Sequence, residues 1–403
     1  MKTLASIFQT ASFILIIAIT TISGGCTSTD EPSVDALQSQ ISTRAEKSFS
    51  TQILTVQEAV EVAKHKLGYN LYPLMSYKVE YILSQKSVNN DFPSDTIAFV
   101  VNFGNQEGYA VIRNDTRTSP VLAYSPTGEL EVSDGVIQHP LLSDIEHTMS
   151  VSGSSYSCLN PANCVGHTHD LIEKRININV CEEAPFNKIV TKDQPNCKAG
   201  TVPTACAVMA SYALTDLSYK GYRFNFPSIN YCLLQGPGFS PIVTSPQSTN
   251  NIFDQTFLYS YEGSVEAFGT LMSKFGSSMG TSYSKENSTT DLLRAYNEMK
   301  SIGCELSPYY DKYDRQSIAE LMSSGYLILL NIDDIYINDS QSAIIDGGEI
   351  IYYGSSAGGI CYNLYLLTGG IEQSRQCYCT TEVLEYSTQY KAGAFFGVKI
   401  KTN

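Results

Sequence analysis

Between residues 54 and 70, Val56, Ala59, Val60, Ala63 and Leu67 recur at helical spacing and Gly68 follows. This predicts an amphipathic helix that stops at the glycine. The period then changes to that of strands. "YKVEYIL" (77–83), "TIAFVVNF" (96–103) and "GYAVIRND" (108–115) read as three strands, with Asn105-Gln106-Glu107-Gly108 as a turn between the last two. "SPVLAYS" (119–125) and "GELEV" (128–132) read as a further strand pair, and "HPLLSDIEHTM" (139–149) as a closing helix. Residues 51–150 are therefore expected to form a small α+β domain.

Residues 151–183 are rich in Gly, Ser, Asn and Pro, carry no hydrophobic period and read as a linker. Periodicity returns over 184–403, with helices first and strands last. In "TVPTACAVMASYALTDL" (201–217), Cys206, Met209, Ala210, Ala213, Leu214 and Leu217 follow the 3.6-residue repeat. Thr204, after Pro203, is expected to cap this helix. Cys206 would then lie in the first turn, where free N–H groups and the macrodipole favour a thiolate. Three more helices are expected at 264–276, 290–303 and 315–325, then strands at 326–332, 342–354, 360–367 and 394–400. The order implies an α+β domain in which a helix leans on a sheet.

Composition narrows the function. The 403 residues carry a formal net charge of −14, which argues against nucleic acid and anionic membrane surfaces as partners. At the N-terminus, an apolar run ends at Ile22 and small residues lead to Cys26, the pattern of a signal peptide over 1–26. Ser23-Gly24-Gly25-Cys26 resembles a bacterial lipobox with Ser23 in place of the usual leucine. That resemblance implies a lipid on Cys26 and an envelope location. Residues 27–50 are polar and aperiodic and read as a flexible tether, whose "STDE" (28–31) resembles the export tag of some surface lipoproteins. Of eleven cysteines, ten remain once the lipid site is set aside, enough to pair completely in an oxidising compartment. If all pair, Cys206 is not a free thiol. Cys158, Cys164, His167 and His169 lie close in sequence, but their spacing matches no common zinc module, so neither a metal nor a cofactor is expected.

"AFVVNFGNQEGYAVIRNDTRTSPVLAYSPTGEL" resembles the core of the Spi-type pro-domain that precedes streptopain-type cysteine peptidases (peptidase C10). "APFNK" (184–188) is similar to the opening of the mature peptidase, and "PTACAVMASYAL" to its Gly-Cys-Val-Ala-Thr-Ala helix, which places Cys206 at the nucleophile with Ala205 for the glycine. "LMSKFGSSMGTSY" (271–283) resembles the helix and loop that follow. The resemblance implies a papain-like fold in 184–403, with the pro-domain packed on its own peptidase-like domain.

The same resemblance exposes a deficit. The family strand Gly-His-Ala-x-x-Ile-Asp-Gly aligns with "SQSAIIDG" (340–347), so Gln341 stands where the histidine belongs. Tyr365 stands for the asparagine that would orient the imidazole, and of the following strand only Gly369 and Gly370 match. All five histidines (65, 139, 147, 167 and 169) precede Cys206. A thiol peptidase needs a base for the thiol and an acid for the leaving amine, and a glutamine amide is neither near neutral pH. The expectation is a pseudopeptidase that binds a peptide or protein at the cell envelope, anchored to a bacterial membrane through Cys26. Two alternatives stay open: an active peptidase zymogen using Cys206 with a non-standard base, and a Spi-like inhibitor of other peptidases.

Overall fold

A computed structural model describes residues 53–69, 75–83, 96–104, 106–114, 120–139, 142–145, 147–149, 167–240, 260–334, 339–353, 356–367, 376–387 and 389–401. Cys26, the tether 27–50, Cys158, Cys164, Gly369 and Gly370 lie outside them. From Thr51 onward the chain forms one compact unit that mixes helix and sheet, the α+β class expected.

Helix α1 (Val56–Lys66) opens with a capping box: Glu58 N donates to Thr55 Oγ1, and Thr55 N donates to Glu58 Oε2 at 2.8 Å. Its Ala59, Val60 and Ala63 are buried beside Val101, Ala110 and Ile112. The strands that follow, β1 (Tyr77–Leu83), β2 (Thr96–Phe103), β3 (Tyr109–Arg113) and β4 (Val121–Ser125), form an antiparallel meander. The strand expected at 128–132 is absent. Instead Asn102, buried in β2, exchanges two hydrogen bonds of 2.9 Å with the backbone of Leu130 and holds that stretch as a loop. Only the short β5 (Val132–Ser133) and β6 (Val136–Ile137) pair beyond it.

Strand β7 (His167–Ile172) lies in the segment read as a linker. Helices α2 (Lys188–Asp193), α3 (Thr201–Ala213), α4 (Phe226–Gln235), α5 (Tyr261–Met279), α6 (Leu292–Ser301) and α7 (Arg315–Ser323) follow, with the hairpin β8 (Asp216–Tyr219) and β9 (Tyr222–Asn225) between α3 and α4. Asn225 caps α4, Ser260 caps α5, Asp291 caps α6 and Asp314 caps α7, each side chain accepting a backbone N–H of the first turn. Strands β10 (Tyr326–Asp334), β11 (Asp339–Tyr353), β12 (Ser356–Leu366) and β13 (Gln376–Thr380), the short helix α8 (Thr381–Glu385) and strand β14 (Tyr390–Lys399) complete the chain.

Apart from the hairpins β5-β6 and β8-β9, the strands join into one sheet of order β1-β2-β3-β4-β13-β12-β11-β10-β14, with β7 beside β11. Its two halves meet where β13 pairs antiparallel with β4, in the register Tyr378 with Tyr124 and Cys379 with Ala123. Strand β7 pairs with the far end of β11, Ile172 opposite Gly348 and His167 opposite Tyr353. Gly347 permits this approach. A Cβ there would meet the carbonyl oxygens of Ile172 at 2.6 Å and Glu173 at 3.0 Å. Among the described residues no helix is long and apolar enough to cross a membrane.

Gly347→Ala is expected to lower the unfolding free energy by ~1–3 kcal/mol, the usual cost of overpacking. Denaturant unfolding of the variant beside the parent checks this.

Candidate functional site

Helix α3 begins earlier than the sequence suggests. Gly200, at φ 91°, is the residue before the first turn, and Thr201 is the first helical residue. Pro203 fits inside that turn because the first N–H groups of a helix have no partner within it. Thr204 is therefore not the cap: its hydroxyl donates back to Gly200 O at 2.7 Å.

The shift moves Cys206 into the second turn. There it is fully buried in the core between α3, α5, α6 and the sheet. Burial pushes its thiol far above the ordinary range, and Cys304 and Glu298 push the same way. The thiolate that a first-turn position would favour does not form in such surroundings. Cys206 is a thiol rather than half of a disulfide, so complete pairing of the cysteines does not hold.

Thr201 is the side chain that meets the strand carrying Gln341. It is 1% exposed, and its Oγ1 accepts from Ser342 N at 3.0 Å. Gln341, next to Ser342 on β11, pairs with Ile332 of β10 and is half-buried. Asn331 and Asp333 of β10 lie on the same face as Ser342, opposite to the face of Gln341 and Ile332. Ser342 Oγ lies 3.5 Å from Asn331 Oδ1, and Asn331 Nδ2 donates to Asp333 Oδ1 at 2.7 Å. These groups are neutral or acidic, with no thiol or imidazole among them. Sequence reasoning passed over Thr201 because a cysteine five positions later attracted the alignment.

The linker histidines do not supply the missing base. His169 pairs with Ile351, ten residues along β11 from Gln341. At ~3.3 Å per residue that is on the order of 30 Å along the strand. Tyr365 is committed as well: it is buried, its hydroxyl donates to Ile178 O at 2.9 Å, and it accepts from Val180 N at 2.8 Å. Asp346 lies inside β11 and is 1% exposed. Its carboxyl accepts from Ile176 N at 3.0 Å and from Asn363 Nδ2. Burial raises its pKa to about 7, against the opposing effects of the Ile176 hydrogen bond and Lys174. Among the described residues no cluster of His, Cys, Asp and Glu is arranged to hold a metal.

Two measurements check these assignments. Alkylation of the folded protein should modify the half-buried Cys197 and spare Cys206 until denaturant is added, as read by peptide mass spectrometry. For Asp346, the folded carboxyl titrates at about 7 and the free one near 3.8, so the folded state holds the extra proton between those values. The stability it contributes is full below about pH 4 and is lost as pH rises to about 7. Relative to Asp346→Asn, the parent should lose on the order of a few kcal/mol of unfolding free energy across that interval.

No curated protein gives a significant match to the chain. Two solved structures from Prevotella intermedia are similar at low identity. A mutant fragment of prointerpain A shares 14% identity at a TM-score of 0.46, over 81% of this chain and all of that one. Active wild-type interpain A cysteine protease shares 15% at a TM-score of 0.34, over 56% of this chain and 94% of that one. The expected resemblance in the N-terminal part is borne out at the level of sequence: residues 51–148 match the family of the Spi protease inhibitor.

Proposed function

We propose that this chain is a non-catalytic relative of streptopain-type cysteine peptidases, exported and lipid-anchored through Cys26. Its peptidase-like part binds a peptide or protein at the cell envelope. The observation that carries the reading is the contact between the head of α3 and β11, where Thr201 Oγ1 accepts from Ser342 N beside Gln341. The sequence around it supports the same register. In "GTVPTA" (200–205), Gly200, Val202, Thr204 and Ala205 match Gly-Cys-Val-Ala-Thr-Ala, whereas "ACAVMA" (205–210) matches only Cys206 and Ala210. Thr201 then stands at the nucleophile, in place of Cys206, and Gln341 at the base.

This pair lacks both halves of thiol chemistry. A threonine hydroxyl stays protonated near neutral pH unless a base takes its proton, and the glutamine amide takes none. Loss of one member of a coupled catalytic set can cost as much as loss of all. What survives beside Thr201 is a row of hydrogen-bonding groups, Ser342, Asn331 and Asp333, which suits recognition of peptide amides without cleavage.

The purified chain should hydrolyse peptide substrates at background rate, and Cys206→Ala should leave that rate unchanged. Thiol-dependent turnover at an enzymatic rate that Cys206→Ala abolished would establish the active-peptidase reading instead. The match of residues 51–148 to a protease-inhibitor family favours one further reading, inhibition of another peptidase in trans. Inhibition of a related active enzyme by the full chain at micromolar concentration would support it. Cys26→Ser should remove the lipid mass from the mature protein and move it from the membrane to the soluble fraction.

A further inference from the structure

We propose that the Spi-like region is a permanent half of this protein, and that a cut between residues 149 and 167 does not release it. The proposal rests on the joint between the halves and is independent of any reading of the Thr201 site.

Three features of the joint carry it. The first is a shared core. Val100, Val111, Leu122, Leu130, Leu142 and Ile145 from the Spi-like region belong to one continuous buried cluster with Ile318, Leu330, Ile345, Leu364, Val383 and Leu384. Ordinary interfaces between separable domains are smaller and more polar than a continuous core. The second is the sheet, since separating β4 from β13 would open two unpaired edges in the middle of it. Around that seam the rings of Tyr124 and Tyr378 stack at 4.6 Å, and Lys66 Nζ donates to both oxygens of Glu349 at 2.6 Å while lying over the Tyr124 ring.

The third is charge. Arg113 of β3 is 1% exposed and donates through Nη2 to Glu382 of α8 at 2.5 Å. Glu382 is itself buried. The two charges come from different halves and neutralise each other out of water, so in the closed joint removing either one leaves the other buried and uncompensated. Asp144 adds a rim contact, accepting from Gln389 N at 3.2 Å and Ser387 Oγ at 3.3 Å.

The connecting segment points the same way. After β7, Arg175 donates to Met322 O and Tyr326 O at 3.0 Å each, Ile176 N donates to Asp346, and Glu182 N donates to Leu367 O. Residues 167–182 are thus sewn into the second half, and a cut upstream of them leaves the joint intact.

The test places a specific protease sequence in the full chain in place of residues 153–160 and cuts it to completion, judged on a reducing, denaturing gel. Under reducing native conditions the two fragments should co-elute as one species on dilution to nanomolar concentration. Calorimetry of the uncut chain should show one unfolding transition. Arg113→Met should lower the midpoint by several degrees, and Arg113→Met with Glu382→Leu should recover most of that loss. Fragments that separate on dilution, or two resolved transitions in the uncut chain, would overturn the proposal.

Discussion

Strand β11 is the constraint on which the other parts depend. Along its length it meets four different partners. Ser342 N donates to the head of α3. The buried Asp346 accepts the backbone of the connecting segment at Ile176. Gly347 lets Ile172 and Glu173 pass within contact distance. Glu349 takes the ammonium of Lys66 from the Spi-like region and a hydroxyl from Tyr124. One strand therefore sets the position of the candidate site, the segment before it and the N-terminal half. Its residues alternate between faces, so these partners approach from both sides of the sheet. A register slip of one residue would misplace all of them together.

The local parts of this arrangement were legible in the sequence. The stripe Val56, Ala59, Val60 and Ala63 marked α1, and the helices expected at 290–303 and 315–325 form as α6 and α7, because such signals act over a few positions. The head of α3 was misread for a physical reason: a proline is as acceptable in a first turn as just before it, so Pro203 fits either start. The loop at Leu130 was misread because its bonds go to Asn102, far away in sequence. Strand β7 has the same cause. Its partner is β11, about 180 residues on, and a Ser- and Gly-rich approach gives no local sign of it. The pairing of β4 with β13 is likewise non-local.

Burial accounts for the chemistry as much as residue identity does. Of the thirteen residues of α3, only Tyr212 escapes full burial, and the helix has no acidic residue in its first turn and no basic one in its last. Such a helix is held by apolar packing on every side, which suits small residues such as Ala205, Ala207 and Ala210. It also removes from Cys206 every feature a nucleophile needs: access, a positive neighbour and a base. Asp346 shows the same effect in a carboxyl group, since desolvation outweighs the hydrogen bonds it accepts and favours the neutral acid.

These constraints converge on the junction between the halves. A zymogen must separate its inhibitory part from its cleft, which requires an interface of modest area whose polar groups are content in water when it opens. Here the interface holds a guanidinium–carboxylate pair out of water, shares one apolar core and continues a sheet. Opening it would expose apolar surface and strand edges at once, and each of these costs free energy in the same direction. A joint of that kind serves a scaffold better than a latch. It fits the non-catalytic reading proposed above, because a protein with no reaction to release has no need of a removable cover.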